Sequence, residues 1–292
     1  GKNILGFPLI GSRISGFFKE ELILGSFLSR LLPILFALMS ITYGKSKKLM
    51  GLAMIILVLT DVLIYLSGER TAFFYLVLST IIILLFVKNW KLLRLGTIFI
   101  SLLLLVAISI TNETYKLRMF DKTLKQINIV SNNTTDLGSK LRFFSIQHQV
   151  VFVSAYKIFL DNPIIGVGPK LFREICKLPQ YVVKDKTGED KSLDGCQNHP
   201  HNTYIQLLSE TGIIGALPVI FGFLMICRVF VRQGISFVQS NKIIYSDFQI
   251  CLYAAILITL WPFVPTGNLF HNWLNIIYFL PIGFLLHSYH KN

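Results

Sequence analysis

Residues 49–66 read LMGLAMIILVLTDVLIYL, an apolar run that contains a single charged residue, Asp61. An α-helix needs about 20 apolar residues to cross the hydrocarbon core of a bilayer. A spanning strand would instead alternate apolar and polar residues over about 10 positions. The run is apolar on every side, and it therefore predicts a membrane-spanning helix.

Six further apolar stretches share this character. They lie at residues 22–43, 71–87, 92–110, 204–231, 248–266 and 269–288. The sequence thus predicts an all-α, polytopic transmembrane helical bundle of about seven spanning helices with a large, partly helical loop. We divide it into 1–110 with four spans, the loop 111–203 and 204–292 with three spans, which together form one domain.

The composition supports a membrane protein. The chain is 53% hydrophobic and 15% charged, with a mean hydropathy of +0.61, whereas soluble domains carry about 25% charged residues. The formal net charge of +13 does not indicate nucleic-acid binding, because the basic residues lie between apolar segments. The chain begins with Gly1 and shows no signal-peptide pattern, so we expect the C-terminal part of a longer protein.

The positions of lysine and arginine predict the orientation. Basic residues occupy alternate turns, at Lys45, Lys47, Lys48, Lys88, Lys91, Arg94, Arg228, Arg232, Lys242 and Lys291. We assign these turns to the cytoplasm. The opposite side then carries residues 1–21, the turn 67–70, the long loop and the turn 265–268.

The long loop contains helix and turn signals. A helix is expected from Ser139, with Leu141, Phe144, Val151, Ala155 and Ile158 at helical spacing. Asp161-Asn162-Pro163 should end it, and residues 164–169, with two glycines and a proline, predict a tight turn. Thr203 and Gln206 have capping-box spacing, so a helix should begin at Thr203.

Two charges lie inside apolar stretches, Arg30 and Asp61. A charge inside the bilayer is costly unless it is paired or faces a cavity. We expect Arg30 and Asp61 to pair with each other or to face a common cavity.

Three arginines are candidates for binding an anion. Arg70 lies in a short turn on the predicted outer side, where it can be either an interfacial anchor or a functional group. Arg142 is expected in the first turn of a helix, where a cation opposes the helix dipole and so suggests a partner. Arg13 lies between glycines in a polar segment, and it can equally be a simple loop residue.

The run His199-Pro200-His201-Asn202-Thr203-Tyr204 closes the long loop. The spacing of its two histidines is not that of a helical zinc site, so we expect no metal. A histidine at a helix start beside the membrane is better placed as a proton acceptor near neutral pH. Glu210, in the same helix, either orients a histidine or binds a neighbouring segment.

Cys176 and Cys196 flank the charged part of the loop on the predicted outer face. A disulfide between them would hold that loop close to His199.

Four segments, in this order, resemble the bacterial O-antigen ligase and O-antigen polymerase superfamily of inner-membrane glycosyltransferases. They are Arg13-Ile14-Ser15-Gly16-Phe17-Phe18, Ser67-Gly68-Glu69-Arg70-Thr71-Ala72, Arg142 with Asn162-Pro163-Ile164-Ile165-Gly166-Val167-Gly168-Pro169, and His199 to Tyr204 with Glu210-Thr211-Gly212-Ile213-Ile214-Gly215. The resemblance covers nearly the whole chain. Many family members have Ser-Gly-Ser-Arg at the second segment, so Glu69 is a departure that either neutralises Arg70 or orients it.

The resemblance implies an enzyme that moves a glycan from undecaprenyl diphosphate to an acceptor hydroxyl on the periplasmic side. His201, Arg142 and Arg70 would be catalytic, and substrate binding would fall to Arg13, His199, Asn202, Tyr204 and Glu210. The reaction would need no cofactor and no metal and would invert the anomeric carbon. The acceptor would be the lipid A core, a growing glycan or, in a protein O-glycosyltransferase, a serine or threonine. A flippase or transporter for lipid-linked glycans is the competing class, although internal repeats and broken helices are not evident.

Overall fold

The computed structural model describes residues 6, 13–18, 21–42, 46–121, 144–184 and 192–290. Each of the seven apolar stretches carries a helix. The helices are α1 (Leu24–Thr42), α2 (Lys47–Leu66), α3 (Arg70–Phe86), α4 (Lys91–Thr111), α5 (Glu113–Lys116), α6 (Ile146–Asp161), α7 (Phe172–Ile175), α8 (Thr203–Ser240), α9 (Asp247–Thr259) and α10 (Asn272–His290). The predicted all-α fold class is confirmed.

Within the described ranges, four helices are long and apolar enough to cross a membrane: α1, α2, α4 and α8. The shorter helices α3 and α9 are also apolar, and α10 lies on the seventh apolar stretch. The protein is therefore a polytopic helical membrane protein.

The chain forms two compact units. Unit 1 contains Gly1–Lys122, Ile226–Thr259 and Ile277–Asn292, and unit 2 contains Thr123–Met225 and Leu260–Ile276. The division of the sequence at residues 110 and 203 stays a prediction.

Helix α9 lies in the interior of unit 1. Each residue from Gln249 to Thr259 is buried, as expected of a helix that is apolar on every side. Helix α1 packs against α2, α3 and α9, and α2 packs against α4. The Asp247 carboxylate accepts hydrogen bonds from the backbone N–H groups of Lys88 and Asn89, at 2.9 and 3.1 Å. This carboxylate ties the start of α9 to the turn after α3.

The predicted pairing of Arg30 with Asp61 is wrong. Arg94 donates to both carboxylate oxygens of Asp61, at 2.7 and 3.1 Å, and all of these atoms are buried. Thr80 accepts from Arg94 and Ser101 donates to Asp61. Arg94 therefore belongs to the interior of the bundle, and its predicted place in a turn is wrong.

Arg30 satisfies its charge in a different way. Its Nη1 donates to the carbonyl and hydroxyl oxygens of Ser26, both at 3.0 Å. The guanidinium lies 4.6 Å from the centre of the Tyr75 ring, a cation–π contact. Arg30 thus faces α3, while Asp61 faces α4.

The core of unit 2 forms around α6. Val151, Ala155 and Ile158 on one face of α6 pack with Phe172 of α7. Helix α6 ends at Asp161, as predicted. It begins at Ile146, so Phe144 and Ser145 precede it, and the expected start at Ser139 lies outside the described residues, as does Leu141.

The Asp61–Arg94 pair gives a prediction about stability. Asp61→Ala would leave a buried guanidinium without its carboxylate and should lower the free energy of unfolding by about 3–5 kcal/mol. The double variant Asp61→Leu/Arg94→Met should lose clearly less, because no charge then remains buried. Unfolding of the purified protein in detergent measures both, with Arg173→Met, at an exposed arginine, as the control. A double variant as unstable as Asp61→Ala would contradict this account.

Candidate functional site

Two arginines converge on the turn between α2 and α3. Arg13 donates from Nε to the carbonyl oxygen of Ser67, at 3.2 Å. Arg118, in the π-helical turn Leu117–Asp121, donates from Nε to the carbonyl oxygen of Gly68, at 2.9 Å. Arg70 follows as the first residue of α3. We call Arg13, Arg70 and Arg118 the arginine cluster.

Glycine is required at the centre of this cluster. Gly68 has φ +66°, a left-handed conformation that favours glycine. A Cβ atom there would lie 2.8 Å from Arg118 Nε and 3.2 Å from Arg13 Cγ. The missing side chain therefore lets two guanidinium groups approach two successive peptide groups.

Glu69 contacts Arg13 and the start of α1. Its carboxylate accepts hydrogen bonds from the backbone N–H groups of Gly25 and Ser26, at 2.8 and 3.2 Å, and lies 3.8 Å from Arg13 Nη2. Anionic groups are favoured at a helix N-terminus. Burial raises the pKa of Glu69, and the N–H groups and Arg13 act against that rise. Glu69 is thus engaged by α1 and Arg13.

The arginine cluster carries a net positive charge. Burial lowers the pKa of Arg13, Glu69 opposes this, and the neighbouring charges of Arg118 and Arg70 lower it further. Like charges that repel one another are stabilised by an anion that contacts them together. The cluster is therefore a candidate anion site.

Arg13 and Arg70 were predicted as candidates from the sequence, and Arg118 was not. Arg118 lies just after an apolar stretch and carries no motif of its own, so its one signal was a position on the same predicted side as Arg70. Arg142 lies outside the described residues.

An apolar groove of about 710 Å³ lies beside the turn. Tyr65 and Phe73 line it from α2 and α3, on either side of the turn in sequence, and residues of α4 complete its wall. Glu113 and Lys116 form the polar end of the lining, and Lys116 is two residues from Arg118. The groove has the size of a small-molecule pocket, roughly 300–1,000 Å³.

In unit 2, a second group of functional candidates lies at the start of α8. The helix begins at Thr203 as predicted, but Asn202 caps it: Asn202 Oδ1 accepts from the N–H groups of Tyr204 and Ile205, at 3.0 and 3.2 Å. The expected capping box is therefore wrong. Thr203 instead bonds Thr266 through its hydroxyl, at 3.1 Å.

The backbone of His201 is held in an unusual conformation. His201 has φ +56°, which is uncommon for a residue other than glycine. Its carbonyl oxygen accepts from the N–H of Thr266 at 2.7 Å, and Asn202 donates to the carbonyl oxygen of Pro262 at 2.7 Å. Such strain persists where the surrounding structure enforces it, often at functional sites.

The His201 ring has one defined hydrogen bond. Its Nε2 lies 2.9 Å from the amide oxygen of Gln197. Because that oxygen is an acceptor, Nε2 carries the proton in the neutral ring, and Nδ1 holds the lone pair. Gln197 therefore selects the tautomer, and Nδ1 is the basic atom.

Two further imidazoles surround this ring. The centres of the His199 and His148 rings lie 4.1 and 5.4 Å from that of His201. Burial lowers the pKa of His201. The pKa of His199 falls from 6.5 to about 4, first because the ring is buried and second because His201 is close to it. Both rings are neutral at pH 7. Because unfolding restores the ordinary pKa of His199, its contribution to stability is lost as the pH falls from 6.5 to about 4.

Glu210 joins three segments of unit 2. It is fully buried; one carboxylate oxygen accepts from the N–H of Phe172 at 3.1 Å and the other from Gln206 Nε2 at 2.9 Å. Gln206 also donates to Asn268 and accepts from the N–H of Leu269. Of the two expected roles, the geometry favours binding to a neighbouring segment.

Two glycines allow the loop to approach α8 closely. Helix α8 is interrupted at Gly212, where φ is +64° and ψ is −166°. A Cβ there would collide with the backbone of Ile164 and Ile165, and a Cβ at Gly166 would collide with that of Glu210 and Thr211. The N–H groups of Val167 and Gly168 bond the carbonyl oxygens of Ser209 and Glu210, at 3.1 and 2.8 Å. We call this contact the glycine lock.

Cys176 and Cys196 form a disulfide, with Cα atoms 5.1 Å apart. Cys176 is buried in the core cluster around α6. Cys196 precedes Gln197, so the bond attaches the partner of His201 to the core of unit 2.

Three residues predicted to bind substrate make bonds within the protein instead. Asn202 caps α8, the Tyr204 hydroxyl donates to the carbonyl oxygen of Leu260 at 2.6 Å, and Glu210 is buried. The geometry favours a structural role for all three. His199 lies against His201, with Nε2 3.4 Å from the carbonyl oxygen of Thr266. Among the residues described, no three His, Cys, Asp or Glu side chains are grouped as a metal site would need.

These observations define a polytopic membrane protein that holds cationic and imidazole side chains at the ends of its helices. The family model described as O-Antigen ligase matches residues 52–220, more than half of the chain, and the chain belongs to this family. The matched range includes Arg70, Arg118 and His201. The resemblance stated from the sequence is thereby confirmed. Among curated proteins, none matches the chain.

The glycine lock gives a prediction. Gly212→Ala adds a Cβ where φ is positive and where the backbone of Ile164 is in the way, so it should lower the melting temperature and the activity. Gly222→Ala is the matched control, because it lies in the same helix with nothing within 4 Å, and alanine favours a helix. Thermal unfolding in detergent compares the two. Equal melting temperatures would contradict the role of the lock.

Proposed function

We propose that the protein transfers a glycan from undecaprenyl diphosphate to an acceptor hydroxyl at the periplasmic face of the bacterial inner membrane. Membership of the O-antigen ligase family supports a ligase or polymerase reaction. The observation that carries the specific proposal is the arginine cluster, in which Arg13 and Arg118 bond adjacent carbonyl oxygens and Arg70 follows directly.

The arginine cluster binds the diphosphate of the donor. Guanidinium groups form paired, charge-assisted hydrogen bonds with phosphate oxygens. They also stabilise the negative charge that grows on the diphosphate as its bond to the sugar breaks. Arg142 remains assigned to the same task by the family resemblance. This binding neutralises the leaving group without a metal ion.

The apolar groove holds the first part of the polyprenyl chain of the same donor. Tyr65 and Phe73 bring the groove to the turn whose carbonyl oxygens bind Arg13 and Arg118. A molecule with an anionic head and an apolar tail matches a cationic cluster beside an apolar groove. A soluble sugar nucleotide has no apolar chain that would fill the groove.

His201 accepts the proton of the acceptor hydroxyl. The acceptor oxygen forms a bond to the anomeric carbon while the bond from that carbon to the diphosphate oxygen breaks. The hydroxyl proton moves to Nδ1 of His201, and undecaprenyl diphosphate leaves as the anion. One displacement of this kind inverts the anomeric carbon.

Deleting the gene tests the acceptor class. Loss of all lipopolysaccharide banding on a gel identifies a ligase, a single-repeat band identifies a polymerase, and unchanged banding with lost glycoprotein identifies a protein O-glycosyltransferase. A plasmid carrying Arg70→Gln should fail to restore the lost product, while Arg173→Gln, at an exposed arginine, should restore it. Full restoration by Arg70→Gln would contradict the role of the cluster.

Gln197 should act as a positioning residue for His201. Gln197→Ala should lower kcat by about tenfold or more and leave KM nearly unchanged. The loss should not exceed the roughly 10²–10⁴-fold that a general base contributes in all. Gln197→Glu should still accept from Nε2, and its charge should raise the pKa of His201. The acidic limb of the pH–rate profile should then move to higher pH.

Steady-state rates of the reconstituted enzyme across pH measure both effects, with exposed Asn198→Ala as the control. Among the described residues, the other titratable groups around His201 are His148 and His199, with His271 near His199. An unmoved profile in Gln197→Glu would show that Gln197 does not tune the base.

A further inference from the structure

One face of α6 is apolar and exposed. Val153, Tyr156 and Leu160 are 45%, 54% and 56% exposed. Their spacing of three and four residues places them on one side of the helix. The opposite side, with Val151, Ala155 and Ile158, is buried in the core of unit 2. Helix α6 is therefore apolar on two opposite sides. The core of unit 2 covers one side, and the other side is exposed.

The exposed surface continues beyond the end of α6. Ile164 and Ile165 are 62% and 70% exposed, although the tight turn that carries them is fixed by the glycine lock. The carbonyl oxygens of Pro163 and Ile164 accept from the N–H groups of Ile213 and Ile214, at 2.8 and 3.3 Å. The turn is thereby attached to α8 just beyond its interruption.

The neighbouring part of α8 is also apolar and exposed. Ile213, Ile214 and Leu217 are exposed, and they belong to a helix long and apolar enough to span the membrane. The turn after α6 is bonded directly to this part of α8. This turn therefore connects the exposed face of α6 to the exposed apolar residues of α8 within unit 2.

We propose that Val153, Tyr156, Leu160, Ile164 and Ile165 form a docking surface that lies in the boundary between headgroups and acyl chains of the phospholipid bilayer. Apolar patches rimmed by polar groups mark such contacts. Lys157, next to Tyr156 on α6, is exposed, so its ammonium group can reach lipid phosphates while its stem covers apolar surface. The occupant is the lipid surface that surrounds α8.

This docking sets the depth of the histidines. His148 lies on α6, and its ring contacts that of His201. Anchoring α6 to the lipid surface therefore holds the His148 and His201 rings at a fixed height above the bilayer, whatever reaction His201 serves. The proposal does not depend on glycan transfer.

Spin labels on single cysteines test the docking surface. The full chain, in a Cys227→Ser/Cys251→Ser background that removes both free thiols, is labelled at Tyr156, Leu160 or Ile165. Reductant is left out so that the disulfide stays closed. Controls carry the label at Gln147 or Lys184, which are exposed and polar. Each protein is reconstituted into phosphatidylethanolamine and phosphatidylglycerol vesicles. The accessibility of the label to oxygen and to a water-soluble nickel chelate is then measured.

Labels on the docking surface should show a ratio of oxygen to nickel accessibility several-fold above that of the controls, because oxygen concentrates in the bilayer and the chelate is excluded. A ratio equal to that of the controls would overturn the proposal. Low accessibility to both reagents would overturn it as well, because it would show that protein, such as a second copy of the chain, covers the surface.

Discussion

The glycine lock is the contact on which unit 2 depends. Because Gly166 and Gly212 have no side chains, the backbone of the loop can lie directly against the backbone of α8. The interruption of α8 at Gly212 leaves backbone groups that bond this loop. Glu210, buried between them, secures Phe172 and Gln206. Its carboxylate is acceptable in the interior because each of its two oxygens accepts a hydrogen bond. The histidines owe their fixed position to this framework.

In unit 1, paired charges connect two helices. Asp61 and Arg94 meet inside the bundle as a bidentate pair, and such a pair is tolerated because each group satisfies the other. At the turn between α2 and α3, by contrast, Glu69 is engaged by α1 and Arg13, and three guanidinium groups share one neighbourhood. The Asp61–Arg94 pair holds two helices together, whereas we propose that the arginine cluster binds an anionic substrate.

Hydropathy predicted the helices well, because a long apolar run in lipid has few alternatives to a helix. Residue pairing was less predictable. Asp61 pairs with Arg94 and not with Arg30, since the packing of α2 on α4 decides the partner. The partners of Glu210 lie far apart in sequence, and no local pattern marks them. Asn202, one residue before the predicted cap, caps the helix because its short side chain reaches the N–H groups of Tyr204 and Ile205. Arg118 belongs to no sequence motif, and its contact with the turn between α2 and α3 appears only in the folded structure.

In the reaction that we propose, the arginine cluster binds the lipid-linked donor, and His201 accepts a proton. Donor binding and a single turnover by purified His201→Ala in vesicles test this division most directly. The account predicts that the variant binds undecaprenyl diphosphate glycan as tightly as the wild type and forms no product. Product formation at the wild-type rate would contradict it.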